Sequence, residues 1–245
     1  MEVVAARELA MRAVLAGMDV VAGREPGPGV ESAAEAAIKQ VLASGSRMPV
    51  LGDQENGDPR NEPNWIVDPV DGTANLLRGD PFVAVTVALL VDGRPFAGAT
   101  GCPFTGELWA AARGRGALDA KGRPLLPVAP EGSRGPVVLD PPSSDARHLA
   151  VWRAVRTRLE SAFGAVDLRG SIALALAHVA SGRIAGFVHV GGSPAQDFAA
   201  GVLLVSEVGG LVTALDGGEP WNAPVAIAGL PATYERLRRI LGNVV

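Results

Sequence analysis

The chain has 245 residues, of which 48% are hydrophobic, and its formal net charge is -4. A chain of this length and composition buries a substantial core, as one large domain or as two closely packed lobes. It carries no dense basic segment, so nucleic acid is not expected as a partner. The negative net charge does not exclude a phosphorylated substrate, because a bound divalent cation can supply positive charge at the binding site.

Cysteine content and the N-terminal segment favour the cytoplasm. Cys102 is the only cysteine, so no disulfide can form within the chain, which fits a reducing compartment. Glu2, Arg7 and Glu8 interrupt any apolar segment of a secretory signal, and no run of about 18 apolar residues is present. We therefore expect a cytoplasmic protein that has no membrane partner.

The N-terminal part of the chain combines two helical patterns with short β-rich runs. Ser32 and Glu35 form a capping box for the second helix. The glycine- and proline-rich stretch before them predicts a loop. In chain order, the sequence predicts helices over 3–21 and 32–43 and strands over 48–51, 65–67, 83–91, 97–101 and 107–112.

The C-terminal part of the chain continues to mix helices and strands, which predicts a fold of mixed α+β and α/β character. The elements that follow are a strand over 137–139, helices over 146–162 and 171–181, a strand over 184–190, a helix over 198–208, strands over 211–215 and 225–228, and a helix over 234–241. Proline and glycine concentrate near 127–136. We therefore expect one compact unit of two lobes, an N-terminal α+β lobe over 1–130 and a C-terminal α/β lobe over 131–245.

An acidic turn follows the second predicted strand of the chain. Asp68 and Asp71 lie three residues apart, Pro69 stiffens the turn, and Gly72 lets the backbone approach a ligand closely. Two converging carboxylates repel each other unless a cation lies between them, and oxygen ligands of this kind suit Mg²⁺. An ordinary surface turn is the alternative, because Asp-Pro and Asp-Gly pairs are common in turns.

Two separated segments resemble the signatures of one family. Residues 65–75, with the sequence WIVDPVDGTAN, resemble the first signature of the inositol monophosphatase family, which comprises Mg²⁺-dependent, Li⁺-sensitive phosphatases and includes an archaeal-type branch that accepts fructose 1,6-bisphosphate. Residues 197–210 are similar to its second signature, an Asp that opens a helix of small residues followed by a Glu and two glycines. The resemblance spans about 32–228 and implies a layered α-β-α-β-α sugar-phosphatase fold, often as a homodimer.

The resemblance implies a set of metal ligands. It assigns Asp68, Asp71 and Asp197 to two Mg²⁺ ions, with Val70 contributing its backbone carbonyl. Glu35 falls at the position of an aspartate that lies near a third, weaker metal in the family. Other roles stay open for two of them, since Asp197 also suits a helix N-cap and Glu35 a capping box.

The family also has a Gly-Glu-Glu element before the first signature, and here residues 52–55 read Gly-Asp-Gln-Glu. Asp53 stands at the metal-binding position with one methylene fewer, and Glu55 is its alternative. With Thr73, Asp53 is expected to orient the attacking water. The implied reaction is hydrolysis of a phosphate monoester by metal-activated water, without a covalent enzyme intermediate. The departures in this element keep open a weakly active or non-catalytic member that binds metal.

The expected substrate contacts surround the same turn. Backbone N–H groups of Gly72 and Thr73 are expected to hold phosphate oxygens, whereas Asp71 and the backbone near Ile172 contact the leaving group. Arg169 is a candidate for a second phosphate, as in relatives that accept fructose 1,6-bisphosphate, and an exposed arginine without a ligand is the alternative.

The partner is therefore expected to be a small phosphorylated metabolite of the inositol-1-phosphate or fructose-1,6-bisphosphate type. Histidinol phosphate and 3′-phosphoadenosine 5′-phosphate are the alternatives, although Ala74 stands where relatives acting on the latter usually have Lys. Inositol-selective relatives carry an acid seven residues before the second-signature aspartate, where this chain has Val190. His148, His178 and His189 lack ligand spacing and are expected to be structural.

Overall fold

The computed structural model of the protein describes residues 1–27, 29–52, 63–126, 135–142 and 145–244. Within these residues the helices are α1 (Val3–Ala22), α2 (Val30–Gly45), α3 (Thr73–Leu77), α4 (Ala146–Phe163), α5 (Ile172–Ala180), α6 (Ala195–Glu207) and α7 (Pro231–Leu241). The strands are β1 (Val50–Leu51), β2 (Asn64–Asp71), β3 (Ala84–Val91), β4 (Arg94–Cys102), β5 (Glu107–Ala112), β6 (Ala117–Asp119), β7 (Val137–Leu139), β8 (Val166–Leu168), β9 (Gly186–Val190), β10 (Leu211–Ala214) and β11 (Val225–Gly229).

The strands form two sheets. The first has the order β1-β2-β3-β4-β5-β6, and only its β1–β2 pair is parallel. The second has the order β10-β11-β9-β7-β8, in which β7 runs parallel to both β8 and β9. Residues of β2 to β5 are almost all buried, as expected of strands that are covered by helices on both faces.

The helices cover the sheets in layers. Helices α1 and α2 pack on one face of the first sheet, and α6 packs on its other face. Helix α5 packs beside α6 and contacts the second sheet, whose outer face is covered by α4 and α7. The α-β-α-β-α layering that the family resemblance implied is thus confirmed. The proposed division into lobes stays a prediction, and part of its boundary, 127–134, lies outside the described residues.

Two local predictions are wrong for identifiable reasons. Helix α2 begins at Val30 rather than at Ser32, because Gly29 adopts a left-handed conformation (φ 92°) that caps the helix earlier, so the capping box does not form. Strand β2 does not end at Val67 but continues to Asp71, which pairs with Ala84 of β3. The sequence also gave no signal for the short elements α3, β6 and β8.

None of the helices in the described part of the chain is both long enough and apolar enough to cross a membrane.

Candidate active site

The acidic turn is an irregular end of strand β2. Its pairing with β3 shifts register between Asp68 and Asp71, at the point where Pro69 has no N–H to donate to a neighbouring strand. The backbone N–H of Val70 donates to Asp68 Oδ1 at 2.9 Å. The irregularity therefore turns both carboxylates out of the regular ladder while the strand itself stays buried.

Gly72 connects this strand end to helix α3. Its φ of 102° lies in the left-handed region, and a Cβ at this position would lie 2.9 Å from the carbonyl oxygen of Gly170 and 3.0 Å from that of Phe82. The side-chain amide of Asn75 donates to the same two carbonyls, at 3.2 and 2.8 Å respectively. The turn is thus tied to two distant segments, and only glycine fits at this point.

Asp71 joins the turn to the start of α5. Its Oδ2 accepts hydrogen bonds from Ser171 Oγ and from the backbone N–H of Ala173, both at 2.6 Å. Burial raises the pKa of Asp71 to about 7, although these hydrogen bonds lower it, and the charge of Asp140 raises it further. Without a bound cation, the hydrogen bonds to Asp71 therefore do not offset the cost of burying its negative charge.

One open cleft of about 490 Å³ collects the predicted site residues from two parts of the chain. Among the described residues, it is lined by Asp68, Val70, Asp71, Gly72, Thr73, Pro194, Gln196 and Asp197. Asp197 lies in the first turn of α6, whose N-cap is Pro194, so Asp197 is not the N-cap. The cleft thus brings together both signature segments, which are more than a hundred residues apart in the chain.

An acid of α2 that the sequence analysis did not single out, Glu31, contacts the turn. The hydroxyl of Thr73 donates to Glu31 Oε1 at 2.7 Å and is 3.2 Å from the carbonyl oxygen of Val70. Glu35 instead pairs with Lys39 at 2.7 Å and lies against Gly52. Glu31 carried no sequence signal of its own, because only the packing of α2 against the turn places it beside Thr73.

The remaining predicted substrate contacts lie beside the cleft lining. Ile172 begins α5, next to the contacts of Asp71, and is buried. The guanidinium of Arg169 lies over the ring of Phe82 at 5.2 Å, and it is 3.7 Å from the carboxylate of Asp167. Its side chain is 45% exposed, so it remains accessible to a second anionic group.

One of the histidines belongs to a buried polar pair that sequence reasoning missed. His189 Nδ1 lies 2.7 Å from Asp140 Oδ2, and both side chains are largely buried. His178, in contrast, packs edge-on against Phe82 and Trp109, and burial lowers its pKa to about 4, as expected of a structural histidine.

The donor set of the cleft suits a hard divalent cation. It consists of carboxylates and a backbone carbonyl, and it includes the buried, raised-pKa carboxyl of Asp71. In the part of the chain that the structure describes, no three His, Cys, Asp or Glu side chains already form a group that could hold a metal. Asp53 and Glu55 lie outside the described residues, so the ligand set stays a prediction.

Known proteins share both the sequence pattern and the fold. The profile of the inositol monophosphatase family matches residues 21–244. Inositol-1-monophosphatase ImpA of Mycolicibacterium smegmatis is 33% identical over 219 residues, which are 86% of this chain and 78% of the relative. Nus factor SuhB of Escherichia coli is 32% identical over 193 residues, which are 77% of this chain and 72% of that protein.

Solved structures agree with this relationship. The structure of inositol monophosphatase from Anabaena (Nostoc) sp. superposes with a TM-score of 0.86 at 29% identity, covering 98% of this chain and 96% of that one. Members of the family are generally metal-dependent, in keeping with the oxygen-rich cleft. The chain belongs to the inositol monophosphatase family and is a hydrolase of phosphate monoesters.

Proposed function

We propose that the chain hydrolyses a small phosphate monoester, of the inositol-1-phosphate or fructose-1,6-bisphosphate type, in a Mg²⁺-dependent reaction. The observation that carries this proposal is the cleft, where Asp68 and Asp71 of β2 and Asp197 of α6 lie around the same space as Thr73. Three acids that line one space large enough for a small ligand favour a cation-assisted anion site over an ordinary surface turn.

Asp68, Asp71 and Asp197, with the carbonyl of Val70, would hold the metal ions together with Asp53. When bound, Mg²⁺ would neutralise the charge of the phosphate group and lower the pKa of the attacking water. Two ions are proposed at this site.

Thr73 is proposed to orient the water. Its hydroxyl donates to Glu31, so its oxygen lone pairs remain able to accept a hydrogen bond from water. The backbone N–H groups of Gly72 and Thr73 begin α3, and the first N–H groups of a helix have no acceptor within the helix. These groups are available to phosphate oxygens.

Replacing Glu31 with Gln is expected to lower kcat by roughly 10²-fold. Gln accepts the Thr73 hydrogen bond only weakly because it lacks the carboxylate charge, so the hydroxyl loses its fixed direction. The replacement Thr73→Val should have a similar effect, and the double variant should be no worse than either one, since both remove the same interaction. Steady-state kinetics at saturating Mg²⁺ measure this.

Glu35→Gln separates the role of Glu31 from that of the third metal predicted at Glu35. If Glu35 binds a cation, this variant requires more Mg²⁺ for half-maximal activity but reaches the same kcat. The exposed Glu25, replaced by Gln, is the matched control and should change neither quantity. A Glu31→Gln variant with full kcat would contradict the assignment of Glu31.

A phosphate-release panel tests the function itself. It compares inositol 1-phosphate, fructose 1,6-bisphosphate, 3′-phosphoadenosine 5′-phosphate and histidinol phosphate, with Mg²⁺ and with EDTA. We expect turnover of one of the first two, and its loss in EDTA. If Arg169 binds a second phosphate, Arg169→Met should raise KM for fructose 1,6-bisphosphate and leave that for inositol 1-phosphate unchanged. Turnover that persists in EDTA would overturn the metal-dependent reaction.

A second candidate is a weakly active or non-catalytic family member that binds metal. It would give an empty panel while Mg²⁺ still raises its thermal stability. The departures of residues 53 and 54 from the family pattern keep this candidate in view.

Cytoplasmic location and a homodimer complete the proposal. The single cysteine supports a reducing compartment. Light scattering coupled to size-exclusion chromatography measures the oligomeric state, and a mass of about 25 kDa in solution would contradict the dimer.

A further inference from the structure

The hydroxyl of Ser171 has two partners that fix its direction. Ser171 is the N-cap of α5, and its Oγ accepts from the backbone N–H of Leu174 at 3.2 Å. A hydroxyl has a single hydrogen atom, and here it is donated to Asp71 Oδ2 at 2.6 Å. Both residues are buried, with 1% of Ser171 and 8% of Asp71 exposed. The helix therefore orients the hydroxyl that contacts Asp71.

A second set of contacts holds the start of α5 against the acidic turn. The side-chain amide of Asn75 donates to the carbonyl of Gly170 at 3.2 Å, and Arg78 donates to Asn75 Oδ1 at 2.6 Å. Neither of these contacts involves Asp71. The place of Ser171 beside the turn is thus fixed by groups other than the carboxylate that it contacts.

The carboxylate of Asp71, in contrast, does not fix its own rotation. The terminal torsion of an aspartate side chain is broad, so hydrogen bonds decide the plane of the carboxylate. Ser171 Oγ and the backbone N–H of Ala173 both donate to Oδ2. An ionised carboxylate oxygen has about two acceptor sites, so these two donors fill those of Oδ2. The capacity of Asp71 to bind a cation is therefore left on Oδ1.

We propose that Ser171 is a positioning residue, which holds the Asp71 carboxylate with Oδ2 toward α5 and Oδ1 offered to a divalent cation in the cleft. Ser171 is not among the described residues that line the cleft, so it acts through Asp71. This inference rests on the metal site of the proposed function, and it adds the group that prepares one of the ligands before the metal binds.

Mg²⁺ binding to the metal-free, full-length protein tests the inference. Ser171→Ala removes the hydroxyl, so the carboxylate loses one of the two donors on Oδ2 and rotates more freely. We expect isothermal titration calorimetry with Mg²⁺ alone to give a Kd about tenfold higher than that of the unmodified protein, which is the scale typical of hydrogen-bond partners of metal ligands.

Two further variants separate the hydroxyl from the helix cap. Ser171→Gly also lacks the hydroxyl, but glycine replaces a serine cap at little cost in stability. It should show the same rise in Kd with a smaller loss of melting temperature than Ser171→Ala. Ser171→Thr keeps both the hydroxyl and a capping side chain, so it should retain the Kd of the unmodified protein.

Asp145→Ala is the matched control for the loss of a cap. Asp145 caps α4 by accepting from the backbone N–H of Arg147 at 2.8 Å, and it does not line the cleft. This variant should lower the melting temperature of the metal-free protein and leave the Kd for Mg²⁺ unchanged. A purely structural role of Ser171 would give the same pattern in Ser171→Ala.

The outcomes separate this inference from the function on which it rests. An unchanged Kd in folded Ser171→Ala or Ser171→Gly protein overturns the positioning role and leaves the metal site in place. A Kd that rises as much in Ser171→Thr as in Ser171→Ala overturns it too, since the hydroxyl is then without effect. Absence of Mg²⁺ binding by the unmodified protein overturns the proposed metal site and this inference with it.

Discussion

Replacing Asp71 with Asn is expected to abolish Mg²⁺-dependent phosphate release and to raise the stability of the metal-free protein at pH 8. Burial raises the pKa of Asp71 to about 7, against 3.8 for an unperturbed group. The folded metal-free protein therefore holds this proton at a pH where the unfolded chain has released it. As the pH rises from about 4 to about 7, this group makes the free energy of unfolding fall, by an amount on the order of a few kcal/mol.

The Asn side chain has no charge to desolvate, and its oxygen can still accept from Ser171 and Ala173. In EDTA, the melting temperature of Asp71→Asn should therefore exceed that of the unmodified protein at pH 8, and the two should approach each other at pH 4. Mg²⁺ should stabilise the unmodified protein and not the variant. Thermal unfolding at both pH values, with and without Mg²⁺, measures this.

Asp145→Asn is the matched control, because the side chain of Asp145 is 36% exposed and lies outside the cleft. Its effect on turnover should be negligible. Retained turnover in Asp71→Asn, or the same response to Mg²⁺ as in the unmodified protein, would sink the assignment of Asp71 to the metal site.

Replacing Gly72 with Ala is expected to destabilise the protein by about 3 kcal/mol or more and to abolish turnover. The positive φ at this position strains any residue with a Cβ, and here the added Cβ would also lie 2.9 and 3.0 Å from two carbonyl oxygens. These carbonyl oxygens belong to the backbone, so they cannot move away from the added Cβ as the end of a flexible side chain could. The turn must shift, and the shift displaces Asp71 and Thr73 together.

Gly79→Ala isolates the part of this effect that comes from φ alone. Gly79 also has a positive φ, 72°, but a Cβ there meets nothing within 4 Å. This variant should lose only about 1 kcal/mol and keep its turnover. Chemical denaturation measures both losses, and equal destabilisation of the two variants would show that the close contacts at Gly72 have no energetic weight.

Most helices were predictable because their signals are local. The helices α1, α4 and α7 carry periodic apolar residues, and their predicted and observed bounds differ by at most three residues. The start of α2 was missed since it depends on the conformation of Gly29, which the apolar pattern does not contain. The extension of β2 through Pro69 was missed because it depends on pairing with β3.

The candidate site likewise contains residues that the sequence predicted and one that it did not. Asp68, Asp71 and Asp197 were recognisable, because each stands in a short segment with a family-specific pattern, and they line one cleft. Glu31 was missed: the family resemblance singled out Glu35, four residues later on the same helix, for a third metal, and Asp53 as the acid that acts with Thr73. One turn of helix separates Glu31 from Glu35, and only the packing of α2 decides which of them meets Thr73.

The sequence by itself determined the mixed α and β content, the family and the acids of the two signature segments, because these are encoded in short stretches or in the order of elements. The layered fold followed from the family resemblance. Tertiary structure alone decided which groups surround those acids. The partners of Asp71 come from α5, a hundred residues away, and Asp140 meets His189 only through the register of two parallel strands. Contacts of this kind depend on packing across layers, which no local pattern encodes. The acidic turn was therefore readable from the sequence, but its burial and its raised pKa were not.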